Sequence, residues 1–272
     1  MSTLTQIKLI ASDLDHTLLT DAGELPPHFL DTIRRIHNSG IHFVAASGRP
    51  LYTLKPMFQP VKDCLSLIAE NGAVVMRDGE IVHTQFIPKA DYVHLIHYTQ
   101  NQGLGEPLLC ALDTAYIGES AASHADFLRR FFKKLEIVPD LTSLDVPVAK
   151  YTVFFPGKDT YRVFDDDYAK PLANEFHVTI GGDYFLDIMH KLVNKGNSLR
   201  ELGLKLGAQP EEMVAFGDNL NDTEMLQTVG HSFIVEAAHA RLEPYATRIG
   251  SNADYAVAQK IDEILANGGE LA

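Results

Sequence analysis

The chain has 272 residues, of which 46% are hydrophobic and 22% are charged, as is ordinary for a globular protein of one large or two moderate domains. Its formal net charge is −13 and it has no run of Lys and Arg, which argues against a nucleic-acid partner. The two cysteines, Cys64 and Cys110, lack the spacing of a metal site, so we expect two reduced thiols.

The first residues lack the basic start and the long apolar stretch of a signal peptide. No apolar run approaches the roughly 18 residues that a membrane span needs. We therefore expect a cytoplasmic protein with no membrane partner.

The N-terminal part alternates between strand and helix patterns. Apolar residues at helical spacing predict a helix over residues 26–38. Short apolar runs predict strands over residues 7–12, 41–46, 65–69, 73–76 and 80–83. The last two are joined through Asp78-Gly79 and predict a hairpin. A strand, a helix and a second strand in succession are typical of a parallel βαβ unit.

The middle of the chain mixes helical stretches with a pattern typical of an antiparallel pair of strands, and so predicts an α+β domain. The predicted helices cover residues 90–100, 122–134 and 159–175, and the predicted hairpin pairs residues 177–180 with 184–189.

The C-terminal part returns to the alternating pattern. Its predicted helices cover residues 195–206, 222–229, 238–245 and 256–266, and its predicted strands cover 213–216 and 232–235. Alternation at both ends predicts an α/β fold with one doubly wound, mostly parallel, Rossmann-like core sheet. We expect residues 1–83 and 191–272 to form this core and residues 84–190 to form the inserted domain.

Polar residues and one glycine follow the predicted core strands, at the edge where ligands bind in open parallel sheets. They are Asp13, Asp15, Thr17, Ser47, Gly48, Asp218, Asn221 and Asp222, with Lys195 at the start of a later helix. Four carboxylates this close cannot all stay ionised without a cation. Bound Mg²⁺, which prefers oxygen ligands, would resolve this repulsion.

These segments resemble the four ordered motifs of the haloacid dehalogenase superfamily. The motifs are Asp13-Leu14-Asp15-His16-Thr17, Ser47-Gly48-Arg49, Asn194-Lys195-Gly196 and Gly217-Asp218-Asn219-Leu220-Asn221-Asp222. The long insertion between the second and third motifs resembles the large cap of the Cof-type subfamily, and so does the ending Ser251-Asn252-Ala253-Asp254. The resemblance therefore implies a cap domain over residues 84–190.

The resemblance also implies roles for the carboxylates. Asp13 would be the nucleophile that takes up the phosphoryl group, and Asp15 would be the general acid and then the general base. The side chains of Asp13 and Asp218, with the backbone carbonyl of Asp15, would bind Mg²⁺.

The remaining motif residues would bind phosphate. Ser47, Gly48, Lys195 and Asn221 are implied as its ligands, because charge spreads over the phosphate oxygens during transfer. Asp222 would orient Lys195 or a metal-bound water.

We therefore expect a Mg²⁺-dependent phosphatase whose partner is a small phosphorylated metabolite, a sugar phosphate or a phosphorylated cofactor. A sugar phosphomutase would share every motif residue, and a non-enzymatic phosphoacceptor of the response-regulator kind is the alternative from another class. The sequence leaves open whether Arg49 binds substrate or pairs with a carboxylate, and it carries no signal for an oligomeric state. We expect the His16 side chain to point away from the phosphate.

Overall fold

Two β-sheets form the body of the computed structural model, which describes residues 4–271. The larger sheet has eight strands, and its five neighbouring pairs at one side are parallel while the last two are antiparallel. In spatial order its strands are Thr247–Arg248, His231–Ile234, Met213–Gly217, Leu9–Ser12, His42–Ala46, Leu65–Ala69, Val74–Arg77 and Glu80–Thr84.

Helices cover this core sheet, and two of its central strands are therefore buried along their whole length. Leu9–Ser12 and Leu65–Ala69 are buried at every position, as expected for parallel strands with both faces covered. The core helices are Phe29–Asn38, Leu51–Phe58, Lys195–Leu206, Thr223–Thr228 and Ala256–Ala266. A further two-stranded ladder pairs Thr5–Gln6 with Glu270–Leu271.

The second sheet has six strands, and all of them come from the middle of the chain. In spatial order they are Phe176–Gly182, Phe185–His190, Val148–Phe154, Glu106–Ala111, Ala115–Gly118 and Leu135–Val138. Only the last pair is parallel. Helices Lys89–Gln102, Ala125–Leu128, Thr160–Val163 and Lys170–Leu172 accompany this sheet, and we call the unit from Lys89 to His190 the cap. The predicted boundaries at residues 84 and 190 stay a prediction.

Two predicted helices are wrong. Only Ala125–Leu128 is α-helical within residues 122–134, and the Lys134 carbonyl accepts a hydrogen bond from the Ala115 backbone instead. Only the short turn Ala240–Leu242 forms within residues 238–245. There the backbone N–H of His239 donates to the Asp218 carbonyl, so tertiary contacts take the place of helical hydrogen bonds.

The structure also contains elements that were not predicted. Helix Leu51–Phe58 contains Pro56 and was not predicted from the sequence. Four of the six cap strands were not predicted either. Within residues 4–271, no helix has the length and apolar character needed to span a membrane.

Candidate active site

Charged side chains from three separate parts of the core meet beyond the carboxyl ends of its strands. Asp13 follows strand Leu9–Ser12, and Lys195 is the first residue of its helix. Lys195 Nζ lies 2.5 Å from Asp13 Oδ1 and 2.7 Å from Asp222 Oδ1. Lys195 and Asp222 are fully buried, and Asp13 is nearly so. A buried ammonium ion therefore joins the first and fourth motifs.

Local structure explains why Lys195 points here. The Asn194 side chain caps the helix by accepting a hydrogen bond from the Asn197 backbone N–H at 2.7 Å. Gly196 lies against the Glu224 backbone, where a Cβ atom would come within 2.4 Å of the Glu224 carbonyl. The Asn194 hydrogen bond and this close contact together fix the first helical turn, which carries Lys195.

Asp222 has both carboxylate oxygens occupied by protein donors. Oδ1 accepts from Lys195, and Oδ2 accepts from the backbone N–H groups of Asp218 at 3.0 Å and Asn219 at 3.1 Å. A Cβ atom on Gly217 would lie 2.7 Å from Asp222, so the turn needs glycine there. Asp222 thus organises the loop and Lys195.

Asp218 lies near Asp13, and one of its carboxylate oxygens accepts a hydrogen bond from the protein. Its Oδ1 accepts a hydrogen bond from Thr17 Oγ1 at 2.8 Å. Asp13, Asp218 and Asp222 each offer one carboxylate oxygen within 4.8 Å of the others. Three carboxylates against one ammonium leave an excess of negative charge in a buried site.

The protonation equilibria reflect this excess. Burial raises the pKa of Asp13 well above its ordinary value, and Lys195 opposes this while Asp222 and Asp218 add to it. Burial and the charge of Asp222 raise the pKa of Asp218 to about 7. Burial alone would lower the pKa of Lys195, but Asp13 and Asp222 outweigh it and raise this pKa. Neighbouring carboxyl groups that cannot all ionise without added positive charge are suitable ligands for a divalent cation.

The Asp15 side chain points to another partner. Both of its oxygens accept hydrogen bonds from the Arg49 guanidinium, and the Nε–Oδ2 distance is 2.8 Å. Of the two readings left open for Arg49, the structure shows the carboxylate pair. His16 is exposed and lies 3.3 Å from Asp21, with φ of +61°, so its ring is engaged away from the buried cluster.

The second motif forms a turn in which Ser47 is buried and Gly48 and Arg49 are half-buried. Ser47 Oγ accepts from the Arg49 backbone N–H at 3.0 Å. Asn221 Nδ2 donates to Asn71 Oδ1 at 3.0 Å. The structure therefore places Ser47, Gly48 and Asn221 in one region, with Asn71 between them.

Four residues of this region were not predicted from the sequence: Glu70, Asn71, Lys150 and Asp187. Asn71 is buried and follows strand Leu65–Ala69, so the rule used for the other strand ends would have found it and Glu70. Lys150 and Asp187 lie inside cap strands, where a charge within an apolar run was the available signal.

The fold and the site define an α/β protein with a mostly parallel core sheet, a second sheet formed by the middle of the chain, and a buried carboxylate cluster at the strand ends. The sequence pattern of the haloacid dehalogenase-like hydrolase family matches residues 10–261. The chain belongs to this family. The predicted superfamily and fold class are thereby confirmed.

Relatives and solved structures agree with this assignment. The chain is 28% identical to the 5-amino-6-(5-phospho-D-ribitylamino)uracil phosphatase of Escherichia coli K12, over 95% of this chain and 96% of that protein. It is 28% identical to the HMP-PP phosphatase of Escherichia coli 55989, over 92% and 93% of the two chains. A crystal structure from Streptococcus mutans UA159 superimposes with a TM-score of 0.89, at 24% identity over 96% of this chain and 99% of that one. The predicted enzyme class, a phosphatase, is confirmed.

Proposed function

We propose that this enzyme is a Mg²⁺-dependent phosphatase for small phosphorylated metabolites, and that the phosphoryl group passes through Asp13 to water. The observation that carries the proposal is the buried Asp13 carboxylate held 2.5 Å from Lys195 and grouped with Asp218. These three side chains would supply an attacking oxygen, a phosphate-binding cation and a metal ligand within one site.

In the first step an Asp13 oxygen attacks phosphorus and the bond from phosphorus to the leaving oxygen breaks. Asp15 gives its proton to that oxygen, which requires the Asp15 carboxyl to leave Arg49 or to share it. In the second step Asp15 takes a proton from water, the water oxygen attacks phosphorus, and Asp13 is released with inorganic phosphate.

The surrounding residues hold the phosphoryl group. Lys195, kept in place by Asp222, would neutralise phosphate oxygens, and Ser47, Gly48 and Asn221 would donate hydrogen bonds. Asp13, Asp218 and the Asp15 carbonyl would hold Mg²⁺. When bound, the cation would keep these carboxylates ionised and offset the charge of the phosphoryl group.

The substrate class rests on two lines of support. The Escherichia coli relatives have names that specify phosphorylated small molecules. We also propose that residues 84–190 act as a cap that covers the site and limits the size of the substrate. Sugar phosphates and phosphorylated cofactors fit these limits.

The test is a panel of phosphorylated metabolites incubated with the purified enzyme and Mg²⁺, with release of inorganic phosphate as the readout. We expect Asp13→Asn to lower kcat at least about 10³-fold because the nucleophile is lost, with the melting temperature retained. Asp31→Asn, the same change at an exposed helix position, is the matched control and should keep full activity.

Two further arms complete this test. Dialysis against EDTA should abolish turnover and added Mg²⁺ should restore it, whereas full turnover in EDTA contradicts the proposed metal. Turnover by Asp13→Asn near that of the parent enzyme contradicts the nucleophile. Conversion of a sugar phosphate to an isomer, without free phosphate, would identify a mutase instead.

A further inference from the structure

The backbone carbonyls of the loop of residues 47–49, which we propose to bind phosphate, accept hydrogen bonds from neighbouring segments. The Asn71 N–H donates to the Ser47 carbonyl and the Glu70 N–H donates to the Arg49 carbonyl, both at 3.0 Å. Glu70 and Asn71 have φ of +49° and +55°, a conformation that non-glycine residues adopt at a cost. A strained core turn therefore holds the two outer carbonyls.

The middle carbonyl is held by the cap. Lys150, in cap strand Val148–Phe154, donates from Nζ to the Gly48 carbonyl at 2.7 Å. The same Nζ lies 3.2 Å from Glu70 Oε2 and 3.2 Å from Asp187 Oδ2. All three charged side chains are at least 96% buried on the side-chain measure, since their exposures are 4%, 2% and 4%.

This cluster is poorly arranged for stability alone. Among the described residues, neither Glu70 carboxylate oxygen has a hydrogen-bond donor in good geometry, although Lys150 lies close enough for an ion pair. Replacing a buried ionic network by well-packed apolar side chains is often neutral or stabilising, so this incompletely bonded network is a weak source of stability. Such a local cost is expected where function selects the residues.

A second connection runs from the cap to the fourth motif. Asp187 Oδ2 accepts from Asn71 Nδ2 at 2.9 Å, and Asn71 Oδ1 accepts from Asn221 Nδ2 at 3.0 Å. The cap residue Lys150 thus contacts the loop of residues 47–49 directly, and the cap residue Asp187 contacts Asn221 through the Asn71 side chain.

We propose that Lys150 is a positioning residue: by holding the Gly48 carbonyl from the cap, it orients the loop of residues 47–49 and makes phosphate affinity depend on cap docking. This inference rests on the proposed function in taking that loop as a phosphate ligand. It adds a residue outside the four motifs to the determinants of phosphate binding.

The test compares the parent enzyme with the double variant Lys150→Met, Glu70→Gln, which avoids leaving the Glu70 charge unpaired. Asp187→Asn, which loosens Lys150 without removing it, is a milder second variant. The matched control is Arg241→Gln, which removes an exposed cap–core ion pair of 3.1 Å to Asp165. The readouts are the melting temperature, KM and kcat for p-nitrophenyl phosphate, and the Kd of inorganic phosphate by calorimetry.

We expect KM and the phosphate Kd to rise together by about tenfold in the double variant and by less in Asp187→Asn, as for loss of one charge-assisted contact. Arg241→Gln should leave both unchanged. A purely structural role would lower the melting temperature of the two cluster variants and leave KM and Kd at parent values, which overturns the inference.

Failure of the proposed function is distinguishable. A parent enzyme that binds phosphate without hydrolysing the ester contradicts the function, while the Kd comparison still decides the role of Lys150. A parent enzyme that binds no phosphate overturns both.

Discussion

Glu70 places an ionisable group where water does not reach it. Burial raises the pKa of Glu70 from its ordinary value of 4.5 to about 7, against the opposing effect of Lys150. The folded chain therefore holds this proton more tightly than the unfolded chain does. Between pH 4.5 and pH 7 this group makes the free energy of unfolding fall as pH rises.

Replacing Glu70 with Gln should remove this contribution to the pH dependence. We expect the free energy of unfolding, measured by urea denaturation at pH 5 and pH 7.5, to fall less between the two values in Glu70→Gln than in the parent. Asp13 and Asp218 add slope of the same sign to both proteins, so the difference isolates Glu70.

Glu80→Gln, at an exposed strand position, is the control and should keep the parent slope. An unchanged slope in Glu70→Gln would show that this carboxyl has no raised pKa in the folded protein.

At the residue scale, the sequence predicted those site residues whose location follows from their position at the end of a strand. Asp13 and Asp218 follow strands, and strand ends meet at one edge of a parallel sheet. Lys150 and Asp187 could not be placed in this way, because they lie inside cap strands and their core partners depend on how the cap meets the core.

At the element scale, the packing of two core helices depends on Gly196. A Cβ atom there would meet the carbonyl carbon and oxygen of Glu224 at 2.4 Å, and this backbone cannot move aside without displacing helix Thr223–Thr228. We expect Gly196→Ala to lower the free energy of unfolding by about 2 kcal/mol through overpacking, measured by urea denaturation.

The comparison variant is Gly118→Ala in the cap. A Cβ atom at Gly118 would have only ordinary contacts, at 3.7 Å and 3.9 Å, and φ is −75°. We expect a change within about 0.5 kcal/mol. Equal effects of the two substitutions would contradict the importance of this helix contact.

Elements with their own local signals were predicted well. Helix Lys195–Leu206 matches its predicted bounds, since Asn194 caps its start and Gly207, at φ +69°, ends it. Residues 122–134 have comparable helix-forming composition, but Phe131 and Phe132 pack in edge-to-face contact on Phe185 of a cap strand. This tertiary contact decides the local structure, and periodicity does not reveal it.

At the scale of the whole molecule, a ring pair links cap and core. Tyr161 of the cap stacks on His239 of the core, with ring centroids 5.9 Å apart and planes 10° from parallel. The chain has no tryptophan, so Tyr161→Trp would introduce its single indole at this contact. We expect phosphate with Mg²⁺ to shift its fluorescence to shorter wavelength, because ligand binding favours the docked cap.

Tyr245→Trp, an exposed position on the core, is the reference and should show no ligand response. A Tyr161→Trp emission spectrum that ligand does not change would mean that cap docking and phosphate binding are not linked.

The order of strands in the core sheet has a consequence for biosynthesis. Strand Leu9–Ser12 pairs on one side with His42–Ala46, but its other neighbour is Met213–Gly217. A ribosome must translate residues 13–212 before that neighbour begins to emerge, which takes on the order of 10 to 40 seconds. By the end of this time the nascent chain contains every strand of the six-stranded sheet, while strand Leu9–Ser12 still has an unpaired edge, and an unpaired strand edge favours aggregation.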